Sequence, residues 1–192
     1  GRIVRLRAAD LVDYQDERYA KRYLGTVSKA AATGQPAFAE AVARNLYKLM
    51  AYKDEYEVAR LVASDELAQA LAESFEPGFK LRFHLAPPIF SRRNPDTGLP
   101  EKRELGAWML TAMRLLARSK GLRGTSFDPF GRTAERRRER ALIVEYEALV
   151  AELCDGLDAS NHALAVELAS VHDGIRGYGH VKERHLEEAM KN

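Results

Sequence analysis

The sequence predicts a mainly α domain of about six to eight helices with a small β-strand or hairpin element around residues 79–104. Two observations predict it. Apolar residues recur at spacings of three and four through most of the chain, and one segment alone, Phe79–Leu85, switches to strict alternation. A third bounds the answer: 192 residues, 46% hydrophobic and 30% charged, are the size and balance of one globular domain, residues 1–192.

Over residues 8–32, Leu11, Tyr19, Tyr23, Val27 and Ala30 lie on one helix face. Gly34 ends that helix, and Pro36 opens the next, in which Phe38, Val42, Leu46 and Leu49 repeat. Asp54-Glu55-Tyr56-Glu57 reads as a capping box at a helix start. Ser64 begins a further helix with Leu67, Leu71 and Phe75 four apart, stopped at Pro77-Gly78. Phe79 to Leu85 then reads as a seven-residue strand covering a core on one face. Pro87-Pro88 stops it, and the turn-forming Asn94-Pro95-Asp96-Thr97-Gly98 makes residues 89–104 a small hairpin or an exposed loop. From Gly106 the helical period returns as Trp108, Ala112, Leu115 and Leu116, ending at Lys120-Gly121. Thr133 caps the longest helix, to Asp155, with an apolar stripe of Leu142, Tyr146, Leu149, Val150 and Leu153. A helix from about Asn161 to His172 follows; a glycine-rich break and a polar helix from Val181 end the chain.

Composition excludes several function classes. The formal charge is +2, with 30 basic and 28 acidic residues intermixed, which gives nucleic-acid binding little support. No apolar run approaches the roughly 18 residues that cross a bilayer, and the start GRIVRLRAADLVDYQ lacks the apolar stretch of a secretory signal, so the expected location is cytoplasmic, with no membrane partner. The opening Gly1 in place of Met fits a piece of a longer polypeptide. The single cysteine, Cys154, reads as a buried thiol on a helix, and one thiolate cannot hold an iron-sulfur cluster, which takes about four.

The most unusual local composition is GIRGYGHVKERH, where Gly174, Gly177 and Gly179 are flanked by Arg176, His180 and Lys182 ahead of a helix. Backbone N–H groups of such a turn, reinforced by the basic side chains, suit a phosphate or carboxylate. The bland alternative is a tight packed turn with Tyr178 buried. The spacing is not the dinucleotide fingerprint, and no strand precedes it. His180 and His185 are five apart, about 140 degrees around a helix, so they do not share a face as metal ligands would. His84, His162 and His172 read as structural, with a general base among them the sharper alternative. At the start of the longest helix, Arg132, Arg136, Arg137 and Arg140 place positive charge where the helix dipole favours acids. They call for carboxylate partners, either inside the domain or on an acidic docking protein. Lys53 or Glu55 as an acid or base is a weaker reading of a segment that otherwise looks like a cap with its salt bridges.

Three strings, YKLMAYKDEYEVARL (47–61), LRFHLAPPIFSRRNPDTGLPEKRELGAWMLTAMRLLARSKGLRGTSFDPFGRTAERR (81–137) and IRGYGHVKERHLEEA (175–189), resemble in order the carboxy-terminal region of long-chain indolepyruvate ferredoxin oxidoreductases. These are fused bacterial relatives of the 2-oxoacid:ferredoxin oxidoreductases. The resemblance implies a parent that uses thiamine diphosphate, magnesium and iron-sulfur clusters to decarboxylate an aryl 2-oxoacid oxidatively to an acyl-CoA, with reduction of ferredoxin. It also implies that this chain is an accessory domain, since the cofactor machinery lies upstream. The sequence has no Gly-Asp-Gly of a thiamine diphosphate site, and no catalytic residue of the family transfers to a numbered position. A structural and interaction role follows as the expectation, packing against the catalytic modules of the same polypeptide or within a homo-oligomer. The alternatives are a domain that completes an anionic substrate or coenzyme A pocket through the 174–182 loop, or one that docks acidic ferredoxin through its arginines.

Overall fold

In the computed structural model, residues 1–85, 101 and 103–174 are described. Among them are eight α-helices and one two-stranded antiparallel sheet, so the fold is mainly helical. No helix among the described residues is long and apolar enough to cross a membrane. The chain, read from sequence as one domain, divides into two compact units: one takes Gly1–Lys53 together with Gly131–Asn192, and the other is Asp54–Phe130.

The first unit is built on α1 (Arg2–Tyr14), α2 (Glu17–Ala32), α3 (Pro36–Met50), α7 (Ala134–Gly156) and α8 (His162–Ala169). The single helix expected over 8–32 is two helices. Asp16 stands in extended backbone and its carboxylate accepts from the Tyr19 N–H at 2.7 Å, restarting the helix. The apolar period runs on across the break because Leu11 and Tyr14 of α1 and Ala20 and Tyr23 of α2 enter the same core. Gly34, at φ +74°, ends α2 in the left-handed conformation that a side chain resists, and Pro36 takes the first turn of α3, where its missing N–H costs nothing. Thr133 caps α7, accepting from the Arg136 N–H at 3.2 Å. Leu142, Ile143, Tyr146 and Val150 form its buried stripe, against Phe38, Val42 and Leu46 of α3 and the α2 face. The predicted Leu149 and Leu153 are only partly buried.

Tyrosines tie these helices at their ends. The hydroxyl of Tyr19 donates to the Met50 carbonyl at 3.0 Å and that of Tyr146 to the Ala169 carbonyl at 2.6 Å, the last residues of α3 and α8. Those carbonyls lack helical partners of their own, so the phenols satisfy polar groups that burial would otherwise penalise. Tyr14 does the same for Tyr52, at 2.7 Å. Burial raises the Tyr23 phenol, and raises that of Tyr146 well above the usual tyrosine range, keeping both protonated donors.

The second unit holds α4 (Glu55–Val62), α5 (Asp65–Ser74), β1 (Phe83–Leu85), β2 (Arg103–Leu105) and α6 (Trp108–Arg118), then a short 3-10 turn at Lys120–Leu122. Asp54 and Ser64 cap α4 and α5, accepting from the N–H groups of Glu57 and Leu67. The reciprocal arm of the expected capping box goes elsewhere: the Glu57 carboxylate takes a two-pronged bond from Arg60, both at 2.8 Å. The seven-residue strand expected over 79–85 is reduced to Phe83–Leu85, paired antiparallel with Phe83 opposite Leu105 and Leu85 opposite Arg103. Alternation needs an apolar surface to cover, and Phe79 instead meets Phe75, ring centroids 5.5 Å apart, with both side chains exposed. Across the pair Arg82 forms an ion pair with Glu104. The face of α6 is also not the one expected: Met113 is its buried residue, while Trp108 and Leu115 are 63% and 68% exposed. α5 buries no residue at all, and both Leu67 on it and Phe75 just after it are surface groups. The expected strand or loop residues 86–100 and the helix from Val181 lie outside the described residues.

Candidate functional site

The arginine cluster at the start of α7 separates into groups turned inward and groups left outside. Arg136 donates to the Glu139 carboxylate at 2.6 Å and lies 5.9 Å over the Tyr52 ring, its side chain 12% exposed. Glu139 is itself buried, so this ion pair stands in a weakly screened environment. Arg140 folds back to donate to the Gly131 carbonyl at 2.7 Å, and its second terminal nitrogen is buried without a partner among the described residues. Arg132 and Arg137 are exposed, and Arg137 makes no side-chain hydrogen bond with a described residue. An internal carboxylate thus holds Arg136 and an internal carbonyl holds Arg140. Arg138, next to them, pairs with Glu145 at 2.6 Å.

The glycine-rich candidate, Arg176, Gly177, Gly179, His180 and Lys182, lies outside the described residues, as does His185. The chain entering it is anchored in the first unit. Lys48 of α3 donates from Nζ to the carbonyls of His172 and Asp173 at 2.8 and 3.0 Å, and the His172 ring meets the Tyr146 ring edge-on at 5.2 Å.

A buried ionic cluster in the second unit was not foreseen. Arg123 binds both oxygens of Asp54, at 2.6 and 2.9 Å, with both side chains nearly free of solvent, and stacks 5.4 Å over the Tyr56 ring. Asp128, the acid of the Asp-Pro-Phe-Gly string, is 2% exposed and accepts from the Tyr56 hydroxyl, the Gly124 N–H and the Phe130 N–H at 3.1, 2.8 and 3.0 Å. Gly124 reaches it from φ +74°. Burial first, then the Asp128 charge, pushes the Tyr56 phenol far above its usual range, so it stays a donor. Every carboxylate here has its hydrogen bonds, which is the chemistry of a fastening and not of an acid or base awaiting a substrate. Asp54 was legible as a cap; nothing around Arg123 in the sequence marks it as that cap's partner.

The remaining candidates do not converge. Lys53 is exposed and Glu55 half-buried. His84 is exposed on β1, on the polar side as expected, and His162 opens α8 with Nε2 buried and unpartnered among the described residues. Cys154 is half-buried on α7, and burial pushes its thiol up, away from the reactive thiolate. Among the described residues no group of three His, Cys, Asp or Glu is placed to hold a metal ion.

The chain matches the family of unknown function DUF6537 over residues 1–192, and it belongs to that family. No curated protein and no solved structure matches it.

Proposed function

We propose that the chain is an accessory, assembly-forming domain of an indolepyruvate-type 2-oxoacid:ferredoxin oxidoreductase, and that it packs against the catalytic modules of its own polypeptide or the equivalent domain of a second subunit. The parent is suggested by the three strings at 47–61, 81–137 and 175–189. The assembly role is carried by one observation, the outward face of α6. Trp108 and Leu115 are two turns apart on one side of that helix and each is more than half exposed, an arrangement that monomeric surfaces seldom keep unless something covers it. α5 adds Leu67 and Phe75 at the surface of the same unit. Thiamine diphosphate, magnesium and iron-sulfur clusters belong, on this reading, to the parent and not to these residues. Ferredoxin docking through Arg132 and Arg137 is the second reading, favoured by the exposure of those two guanidiniums.

A parent polypeptide deleted for this segment tests the first reading. It is expected to retain its thiamine diphosphate and its iron-sulfur absorption, but to lose its native oligomeric state in sedimentation and most of its turnover. A deletion that leaves sedimentation and turnover unchanged contradicts the assembly role, and one that strips the cofactors assigns the domain a binding role instead.

A further inference from the structure

Within the Asp54–Phe130 unit, α4 and α6 pack together and α5 begins where α4 ends. At that junction is an open cleft of about 410 Å³, lined by Arg60, Ser64, Asp65, Arg114 and Arg118, with two alanines as its apolar wall. The volume falls within the range of small-molecule sites. Arg114 and Arg118 are one turn apart on α6, so their guanidiniums extend from the same face toward the same space. Like charges so placed repel one another. Both side chains are exposed, and neither forms an ion pair with a described residue.

The other polar groups of the cleft divide in a telling way. The charge of Arg60 is answered by Glu57. Ser64 accepts from the Leu67 N–H as a helix cap, which leaves its hydroxyl hydrogen free to donate outward. Asp65 is the one acid in the lining and sits in the first turn of α5, where the helix dipole attracts its charge. Two unanswered guanidinium forks, a serine donor and small alanine walls are complementary to a doubly charged group with several acceptor oxygens.

We propose that this cleft is a binding site for a phosphate-bearing small molecule, with Arg114 and Arg118 gripping the phosphoryl oxygens and Ser64 donating a further hydrogen bond. With Arg60 already paired to Glu57, the two guanidiniums of Arg114 and Arg118 outnumber the one carboxylate of the lining, Asp65, and their planar forks match the oxygens of a phosphate dianion in geometry. The cleft is larger than a bare phosphate ion, so the phosphoryl group is expected to arrive on a larger body lying along the alanines. This site is independent of the assembly reading and of the glycine-rich loop, and its test does not need the parent enzyme.

The test titrates the purified chain calorimetrically, at low ionic strength, with inorganic phosphate, pyrophosphate and ADP, and with succinate as the carboxylate control. Saturable binding is expected for pyrophosphate and ADP, tighter than for inorganic phosphate, with succinate weakest. The double variant Arg114→Gln with Arg118→Gln is expected to weaken pyrophosphate binding about tenfold or more, since two charge-assisted hydrogen bonds are lost. The double variant Arg132→Gln with Arg137→Gln makes the same charge change elsewhere and is expected to leave binding within about twofold of the parent chain. All four arginines are exposed, and unchanged thermal melting confirms that each variant is folded. Absence of saturable binding, equal weakening by the two double variants, or succinate binding as well as pyrophosphate overturns the proposal.

Discussion

Replacing Arg123 by alanine is expected to destabilise the Asp54–Phe130 unit by about 3–5 kcal/mol, the cost of leaving a buried carboxylate without its partner. Asp54 is 3% exposed, and Arg123 supplies both of its long-range hydrogen bonds, at 2.6 and 2.9 Å. Without the guanidinium, the carboxylate must be protonated, hydrated by opening the structure, or left uncompensated. The loss spreads further because Asp54 also caps α4 and Arg123 stacks on Tyr56, whose hydroxyl holds the Asp128 turn. Urea unfolding followed by the fluorescence of Trp108, the chain's single tryptophan and a member of this unit, measures the effect. A companion double variant, Asp54→Asn with Arg123→Met, removes both charges while keeping a cap at position 54, and is expected to recover part of the loss. A single variant within about 1 kcal/mol of the parent chain would contradict the fastening role assigned to the cluster.

Phe38→Ala is expected to cost the first unit about 3–5 kcal/mol, as a buried aromatic removed from a packed interior leaves a cavity as well as lost contacts. Phe38 is fully buried in α3, in the core that α2 and α7 also enter. Phe127→Ala is the matched control: that ring is 80% exposed, and its loss is expected to stay within about 0.5 kcal/mol. Thermal unfolding followed by far-ultraviolet circular dichroism compares the two. Similar midpoints for both variants would mean that the interior around Phe38 does not determine the stability of that unit.

What could be read from the sequence was whatever short-range chemistry decides. Gly34 and Pro36 mark a helix end and a helix start through their own backbone preferences, and Thr133, Asp54 and Ser64 cap through a hydrogen bond three residues on. Periodicity identified the core faces of α2, α3 and α7 because a large apolar interior receives them. It misled where no such interior exists. The alternation of Phe79–Leu85 and the stripe of Trp108 and Leu115 look like core signals, yet Phe79, Trp108 and Leu115 are exposed. Such a pattern records that a face is apolar and does not record what covers it, which is why the same observation now supports an interface. The Asp54–Arg123 pair joins residues 69 apart in the chain, and no local signal connects them. Among the arginines of α7, spacing alone does not distinguish Arg136, turned onto Glu139 and Tyr52, from Arg137 one residue later, which faces solvent.

On the proposed function, this chain serves assembly while the redox groups are held by other parts of the enzyme. The most direct measurement is made on the purified chain carrying Arg114→Gln and Arg118→Gln, which takes the phosphate cleft out of the titration, with thiamine diphosphate and magnesium in a calorimeter alongside its visible absorption spectrum and iron content. The expected result is a colourless, iron-free protein that gives no binding heat. A visible iron-sulfur band, or thiamine diphosphate bound with micromolar affinity, would contradict it.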